Sequence, residues 1–201
     1  MKKLLLFGGA FNPPHKGHSR LLSSACETIS PDVILVMPSA TSPHKKNAEV
    51  NFFHRANMSQ TFKDVSPKVK ISLMEERGRK RRNYTYWTLK RIKKKYFDHK
   101  IILLIGSDML DSFKTWNRYE RVLKLADIAV ASRYEEGAVK LKKSIDEMCS
   151  KGGRIIELKY NPLEISSSKL REMLYSGEDV SRFIDKFVAD YISEHKLYGG
   201  V

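Results

Sequence analysis

The stretch Leu4-Leu5-Leu6-Phe7-Gly8-Gly9-Ala10-Phe11-Asn12-Pro13-Pro14-His15-Lys16-Gly17-His18 decides how the rest of the chain is read. Its apolar start reads as a buried strand. Gly8 and Gly9 permit a tight turn and a close backbone approach to a ligand. Pro13 and Pro14 stiffen the loop. An apolar-periodic helix begins near His18. Imidazoles beside a helix N-terminus suit an anion, because free N–H groups and the helix dipole both favour negative charge. Strand, loop and helix together predict a phosphate-binding turn.

Similar apolar runs recur at Val33–Met37, Val69–Leu73, Ile101–Ile105, Ile128–Ala131 and Arg154–Leu158. Helical patterns lie between them, near His18–Ile29, His54–Lys63, Tyr84–Phe97, Asn117–Leu125 and Val139–Cys149. Strands alternating with helices predict an α/β fold, a doubly wound parallel sheet of about six strands with helices on both faces. Strands that are apolar almost throughout fit that arrangement, since both sheet faces are then covered. Two further helices close the chain. Lys169–Tyr175 stops at Ser176-Gly177. The other carries Ile184, Phe187, Val188, Tyr191 and Ile192 at helical spacing, with Asp179 or Ser181 as its expected cap. Residues 1–201 read as one domain, on which the helices of about 167–196 pack.

The composition narrows the partners. Lys and Arg number 37 against 23 Asp and Glu, a formal net charge of +14. That balance suits polyanionic ligands. Much of it lies in Arg77-Gly78-Arg79-Lys80-Arg81-Arg82 and Lys90-Arg91-Ile92-Lys93-Lys94-Lys95, which read as solvated surface. No aromatic-basic interleaving along the chain indicates specific nucleic-acid recognition. No apolar run approaches the roughly 20 residues of a membrane helix, and Leu4–Phe7 is too short for an export signal. Cys26 and Cys149 stand far apart with no CxxC, so a reduced, cytoplasmic protein is expected. Zinc spacing is nowhere seen. Self-association into a homo-oligomer is compatible with the sequence, which does not decide it.

A second constellation, Ile165-Ser166-Ser167-Ser168-Lys169-Leu170-Arg171, places three hydroxyls at a helix start with an arginine about one turn inside. Arginine offers a planar fork to phosphate oxygens. Taken singly, a serine cap and a surface arginine are commonplace; paired with the first stretch they gain weight.

The two stretches resemble the nucleotidylyltransferase superfamily, whose patterns are Gly-Gly-x-Phe-Asp-Pro-x-His-x-Gly-His and Ile-Ser-Ser-Thr-x-Ile-Arg. More narrowly, the chain resembles bacterial nicotinate-nucleotide adenylyltransferases. The likeness extends to Pro43-His44-Lys45, Tyr84-Thr85, Ile105-Gly106-Ser107-Asp108 with Trp116 downstream, Ala131-Ser132-Arg133 and the ending His195-x-Leu197-Tyr198. Asn12 stands for the usual Asp and Ser168 for Thr. Asn83 stands for Ser, and Tyr86-Trp87 for a commoner Ile-Asp pair. The resemblance implies a Rossmann-like nucleotidylyltransferase fold and adenylyl transfer from ATP to nicotinate mononucleotide in NAD biosynthesis, helped by Mg2+ carried with ATP and without a protein metal cage. It implies that His15, His18 and Arg171 act on the reacting phosphates. Gly8, Gly9, Phe11, Lys45, Gly106, Asp108, Ser166 and Ser167 would bind ATP. Thr85, Trp116 and Arg133 would frame the pyridine mononucleotide. Nicotinamide mononucleotide or phosphopantetheine as acceptor is the nearest alternative. Class I aminoacyl-tRNA synthetases share His-x-Gly-His but need a much longer chain, and a basic nucleic-acid-binding module is the reading from a different class.

Overall fold

The computed structural model describes residues 1–40, 50–76, 84–132 and 138–199. Six strands form one parallel sheet: β1 (Lys2–Gly9), β2 (Val33–Pro38), β3 (Val69–Ile71), β4 (His99–Ile105), β5 (Asp127–Ser132) and β6 (Ile155–Lys159). Their order is β3-β2-β1-β4-β5-β6. The order reverses between β1 and β4, which pair with Phe7 opposite Leu104. In such sheets the crevice for a ligand opens at the carboxyl ends of those two strands.

Alternation along each strand supplies both faces. Leu4, Leu6, Leu35, Met37, Ile101, Leu103, Ile128 and Val130 point to one side. There they pack against α3 (Thr85–Lys95), α4 (Ser107–Asp111), α5 (Tyr119–Leu125) and α6 (Ala138–Ser150). Leu5, Phe7, Ile34, Val36, Ile102, Leu104 and Ala129 point to the other side, against α1 (Lys16–Ile29) and Phe62. The α1 residues Leu21, Leu22, Ala25 and Ile29 recur at helical spacing and are the ones buried.

The region expected as one helix over His54–Lys63 is α2 (Phe52–Met58) followed by a 3-10 turn, Ser59–Asp64. Asn51 accepts from the His54 N–H and sets the start of α2. A third core joins α2 to the C-terminal part through Met58, Leu170, Val180, Ile184, Val188, Ile192 and Tyr198. Here α7 (Ser167–Tyr175) ends as expected: Gly177 has φ 68, with Glu178 N–H on Met173 O and Gly177 N–H on Leu174 O. The last helix, α8 (Lys186–Glu194), differs from expectation. Its N-cap is Asp185, whose carboxylate accepts from Thr61 Oγ1. Asp179 instead closes a local turn onto the Ser181 N–H and hydroxyl. Ile184 is buried ahead of the helix, and Phe187, expected inward, is exposed.

Candidate active site

A cleft of about 840 Å³ opens where β1 and β4 end. Gly8, Gly9, Phe11, His15, His18, Thr85, Gly106, Asp108, Trp116, Ser166 and Ser167 all line it. They come from the whole length of the chain, so the sheet topology brings the two sequence motifs to one place. Lys45 and Arg133 lie outside the described residues. Arg171 is not among the lining residues; its guanidinium bonds the Asn12 carbonyl and Ser168 Oγ.

The turn after β1 is built differently from expectation. Gly8 and Gly9 still belong to the strand, opposite Met37 and Pro38. The reversal falls on Phe11, which has φ 47 although it is not glycine. A bulky residue in that region is strained by roughly 1–3 kcal/mol and persists only when packing dictates it. The Phe11 ring is buried against Phe7, Phe62 and His18, with centroids 5.2, 5.0 and 5.2 Å away. Gly9 leaves the space this ring needs, since a Cβ there would meet it at 2.9 Å.

His15 is the N-cap of α1. Its N–H donates to His18 Nδ1 at 3.2 Å, and the two rings lie 3.6 Å apart. Because His18 Nδ1 accepts, a neutral His18 carries its proton on Nε2. Burial pulls the His15 pKa down to about 4, so this ring is neutral at pH 7. Gly17 makes room for it; a Cβ would stand 2.9 Å from His15 Nδ1.

Long-range bonds hold this loop. Arg55, 2% exposed, donates to four backbone carbonyls: Val50 at 3.2 Å, Ala10 at 2.6 Å, Ser39 at 2.7 Å and Ala40 at 3.5 Å. It therefore clamps the turn after β1 to the end of β2. Tyr198 Oη donates to Asn12 Oδ1, and Arg171 Nη1 donates to the Asn12 carbonyl at 2.9 Å. Asn12 serves as acceptor at both oxygens, so the Asp-to-Asn departure keeps what the joint uses. Ser167 Oγ donates to the Pro13 carbonyl at 3.0 Å, while Ser166 Oγ caps α7 by accepting from the Lys169 N–H. The Ser167 hydroxyl proton is thus committed to the loop.

The opposite wall is formed by the starts of α3 and α4 and by Trp116. Thr85 opens α3, with Tyr84 as N-cap. Asp108 lies in the first turn of α4 and folds back over Gly106, where a Cβ would meet its carboxylate at 2.5 Å. Trp116 packs on Phe113, ring centroids 4.7 Å apart. Trp116 Nε1 and His15 Nδ1 are buried and make no hydrogen bond. A buried polar atom left unpaired costs about 1–3 kcal/mol. Both residues line the cleft, so a molecule or water entering it meets two polar atoms that the protein leaves unpaired.

The sequence reading missed Glu75, which also lines the cleft. Thr88 Oγ1 donates to it at 3.2 Å, and burial pushes its pKa up to about 7. Within Met74-Glu75-Glu76 it reads as surface charge, and only its place beside Ala40 and Thr88 shows otherwise. Among the described residues, no group of three His, Cys, Asp or Glu is placed to hold a metal ion. Asp108 and Glu75 are the carboxylates of the described cleft wall.

The cytidylyltransferase-like family pattern matches residues 6–173. The chain belongs to that family. Within it, the chain is similar over nearly its whole length to nicotinate-nucleotide adenylyltransferases. The enzyme of that name from Bacillus subtilis is 28% identical over 206 residues, covering 98% of this chain and 99% of the relative. A probable nicotinate-nucleotide adenylyltransferase from Lachnoclostridium phytofermentans is 32% identical over 200 residues, covering 98% and 100%. Among solved structures, the Plasmodium falciparum nicotinic acid mononucleotide adenylyltransferase complexed with NaAD superposes with a TM-score of 0.77 at 21% identity, covering 100% and 99%. At that identity the likeness establishes the fold, a nucleotidylyltransferase α/β architecture.

Proposed function

We propose that this cleft transfers the adenylyl group of ATP to nicotinate mononucleotide, giving deamido-NAD and pyrophosphate in NAD biosynthesis. The observation that carries the reading is the His15–His18 pair at the α1 entrance, in the crevice between β1 and β4. The names of full-length relatives support the same reaction.

The chemistry follows from charge. A phosphate monoester has a second pKa near 6, so the attacking oxygen is already ionised at neutral pH. No general base is needed. The oxygen lone pair forms a bond to the α-phosphorus of ATP, the bond from that phosphorus to the bridging oxygen breaks, and pyrophosphate leaves with the electron pair. The protein brings two anions into line and stabilises charge on the transferring group. His18 Nε2–H is the donor proposed for the α-phosphate, and neutral His15 orients it. Backbone N–H groups at the start of α7, with Arg171, are proposed to hold the β- and γ-phosphates. Lys45 adds a cation there. Gly8, Gly9, Phe11 and Gly106 bound the adenosine site, with Asp108 at the ribose. Magnesium enters with ATP; an ion that keeps its waters and its phosphate ligands fits a wall offering two separate carboxylates. Held by the ATP phosphates near Asp108 and Glu75, such an ion would supply positive charge against the departing pyrophosphate.

For the acceptor, Trp116 supplies an indole face and the unpaired Nε1–H, Thr85 the N-terminus of α3, and Arg133 a cation. These groups favour the carboxylate of nicotinate over the neutral amide of nicotinamide. A reduced, cytoplasmic setting suits the two free thiols, Cys26 and Cys149. The test mixes purified protein, MgATP and a panel of phosphate-bearing acceptors, with pyrophosphate release as readout. Release that depends on nicotinate mononucleotide is expected. Release with phosphopantetheine alone, or none with any acceptor, overturns the reading.

A further inference from the structure

We propose that the exposed face of α3 and α5 binds single-stranded nucleic acid, with Trp87 as the platform on which a base stacks. The surface is separate from the cleft: Tyr84 and Thr85 line the cavity, whereas Tyr86 and Trp87, the next residues, do not. Trp87 is 46% exposed on an otherwise polar helix face. Its ring meets Tyr86 at 4.9 Å. Two cations flank the pair. The Arg118 guanidinium lies 4.9 Å from the Trp87 centroid and 5.1 Å from that of Tyr86, and Lys90 Nζ lies 5.6 and 5.9 Å away.

The surroundings extend the same chemistry. Lys90 and Lys94 follow Trp87 at i+3 and i+7, on one face of α3. The neighbouring helix α5, against which α3 packs, presents Arg121 and Lys124 to solvent. Arg121 and Arg118 hydrogen-bond the Tyr86 hydroxyl and lower its pKa. Helix α3 contains no acidic residue; α5 contains Glu120 alone, 3.8 Å from Lys151. None of Lys90, Lys94, Arg118, Arg121 and Lys124 is in an ion pair with a described residue, whereas Lys2, Lys100 and Lys114 each are. Arg118 reaches its position from a left-handed backbone, φ 57, which is unusual for a non-glycine residue.

Charge complementarity identifies the occupant. Five cations without a carboxylate partner among the described residues, two of them against the rings, suit a chain that alternates phosphates with flat, stackable rings. Along the sequence the basic run lacks interleaved aromatics; packing α3 on α5 creates the interleaving in space. Stacking on one ring reads no base edge, so binding is expected to be indifferent to sequence.

The probe is a fluorescent oligodeoxythymidylate of about 15 nucleotides, titrated by anisotropy at several KCl concentrations. Binding at about 50 mM KCl with a log–log salt slope of roughly −2 to −3.5 is expected for three to five phosphate contacts. Trp87→Ala should weaken binding about tenfold without changing the slope, and Trp87→Phe should keep most of it. Lys90→Ala and Arg118→Ala should each flatten the slope by about 0.7. A control, Lys142→Ala with Lys143→Ala, removes two charges from α6 and should leave the affinity unchanged. No binding at low salt, an unaffected Trp87→Ala, or an equal loss in the α6 control overturns the proposal.

Discussion

The two walls of the cleft differ in how many loop oxygens side chains from elsewhere in the chain tie down. On the His15–His18 side, backbone carbonyls and side chains are bound to the protein itself. Arg55, Arg171, Tyr198 and Ser167 each tie down a loop oxygen, and the His18 ring takes the His15 N–H. On the Thr85–Trp116 side the indole N–H is buried without a partner, as His15 Nδ1 is on the first side, and Thr88 Oγ1 on Glu75 is a side-chain bond of that wall. A wall that must stabilise charge during transfer gains from donors fixed beforehand. A wall that must choose between acceptors gains from donors that only the right ligand satisfies. The difference suggests a division of labour, turnover on one side and acceptor choice on the other.

Breaking the fixed side should do the greatest damage. His18→Ala is expected to lower kcat by about 100-fold or more, as for loss of one oxyanion donor, with its circular dichroism unchanged. Near-normal turnover in a folded variant would remove His18 from the chemistry. Next comes Arg171→Ala, expected to raise the KM for ATP and reduce kcat together by roughly 10- to 100-fold, since pyrophosphate carries the leaving charge. Arg171→Lys should recover only part, because a point charge cannot reproduce a fork that holds the Asn12 carbonyl and Ser168 Oγ at once. Full recovery would mean that simple charge suffices.

On the selective side, Trp116→Phe keeps a ring against Phe113 and deletes the N–H. The KM for nicotinate mononucleotide should rise about tenfold, with kcat and the KM for ATP within about twofold. A fall in kcat of the His18 kind would dissolve the distinction between the walls. The smallest effect is on stability. The Glu75 pKa is raised from 4.5 to about 7, so between those values the folded chain holds a proton that the unfolded chain has lost. Stability therefore declines as pH rises through that window. His15 is depressed from 6.5 to about 4, and its contribution declines as pH falls from 6.5 towards 4. The two slopes oppose one another from about pH 4.5 to 6.5. Glu75→Gln removes one of them and should gain on the parent chain in Tm as pH rises from about 5 to 8, by a few degrees. A Tm difference that does not change with pH would contradict this.

The central strands were legible because both faces of the sheet are covered there, which leaves unbroken apolar runs such as Ile101–Ile105, whereas the edge strands β3 and β6 carry exposed Lys70, Glu157 and Lys159. The two motifs were legible because a strand end followed by Gly, His and a helix start is a local pattern. What holds the motifs together was not. Arg55 resembles any helix-surface arginine until Ala10, Ser39 and Val50 surround it, and those carbonyls lie up to 45 residues away. Phe11, not either glycine, takes the left-handed backbone, because its ring has Phe7 and Phe62 to rest on. Tyr198 likewise has φ 56 and still places its hydroxyl on Asn12. The cap of α8 was misread for the same reason: Asp179 is spent on its own turn, and Asp185 is chosen by Thr61 from another part of the chain.

The division between the walls is tested most directly by one ratio, kcat/KM for nicotinate mononucleotide over that for nicotinamide mononucleotide at saturating MgATP. An indole stacks on either pyridine ring alike, so under the proposed placement the ratio reads the donors offered to the carboxylate. The account predicts a preference for nicotinate of roughly 100-fold, about 3 kcal/mol of charge-assisted bonding. Equal efficiencies, or a preference for nicotinamide mononucleotide, would contradict it and leave the Thr85–Trp116 wall without a selective role.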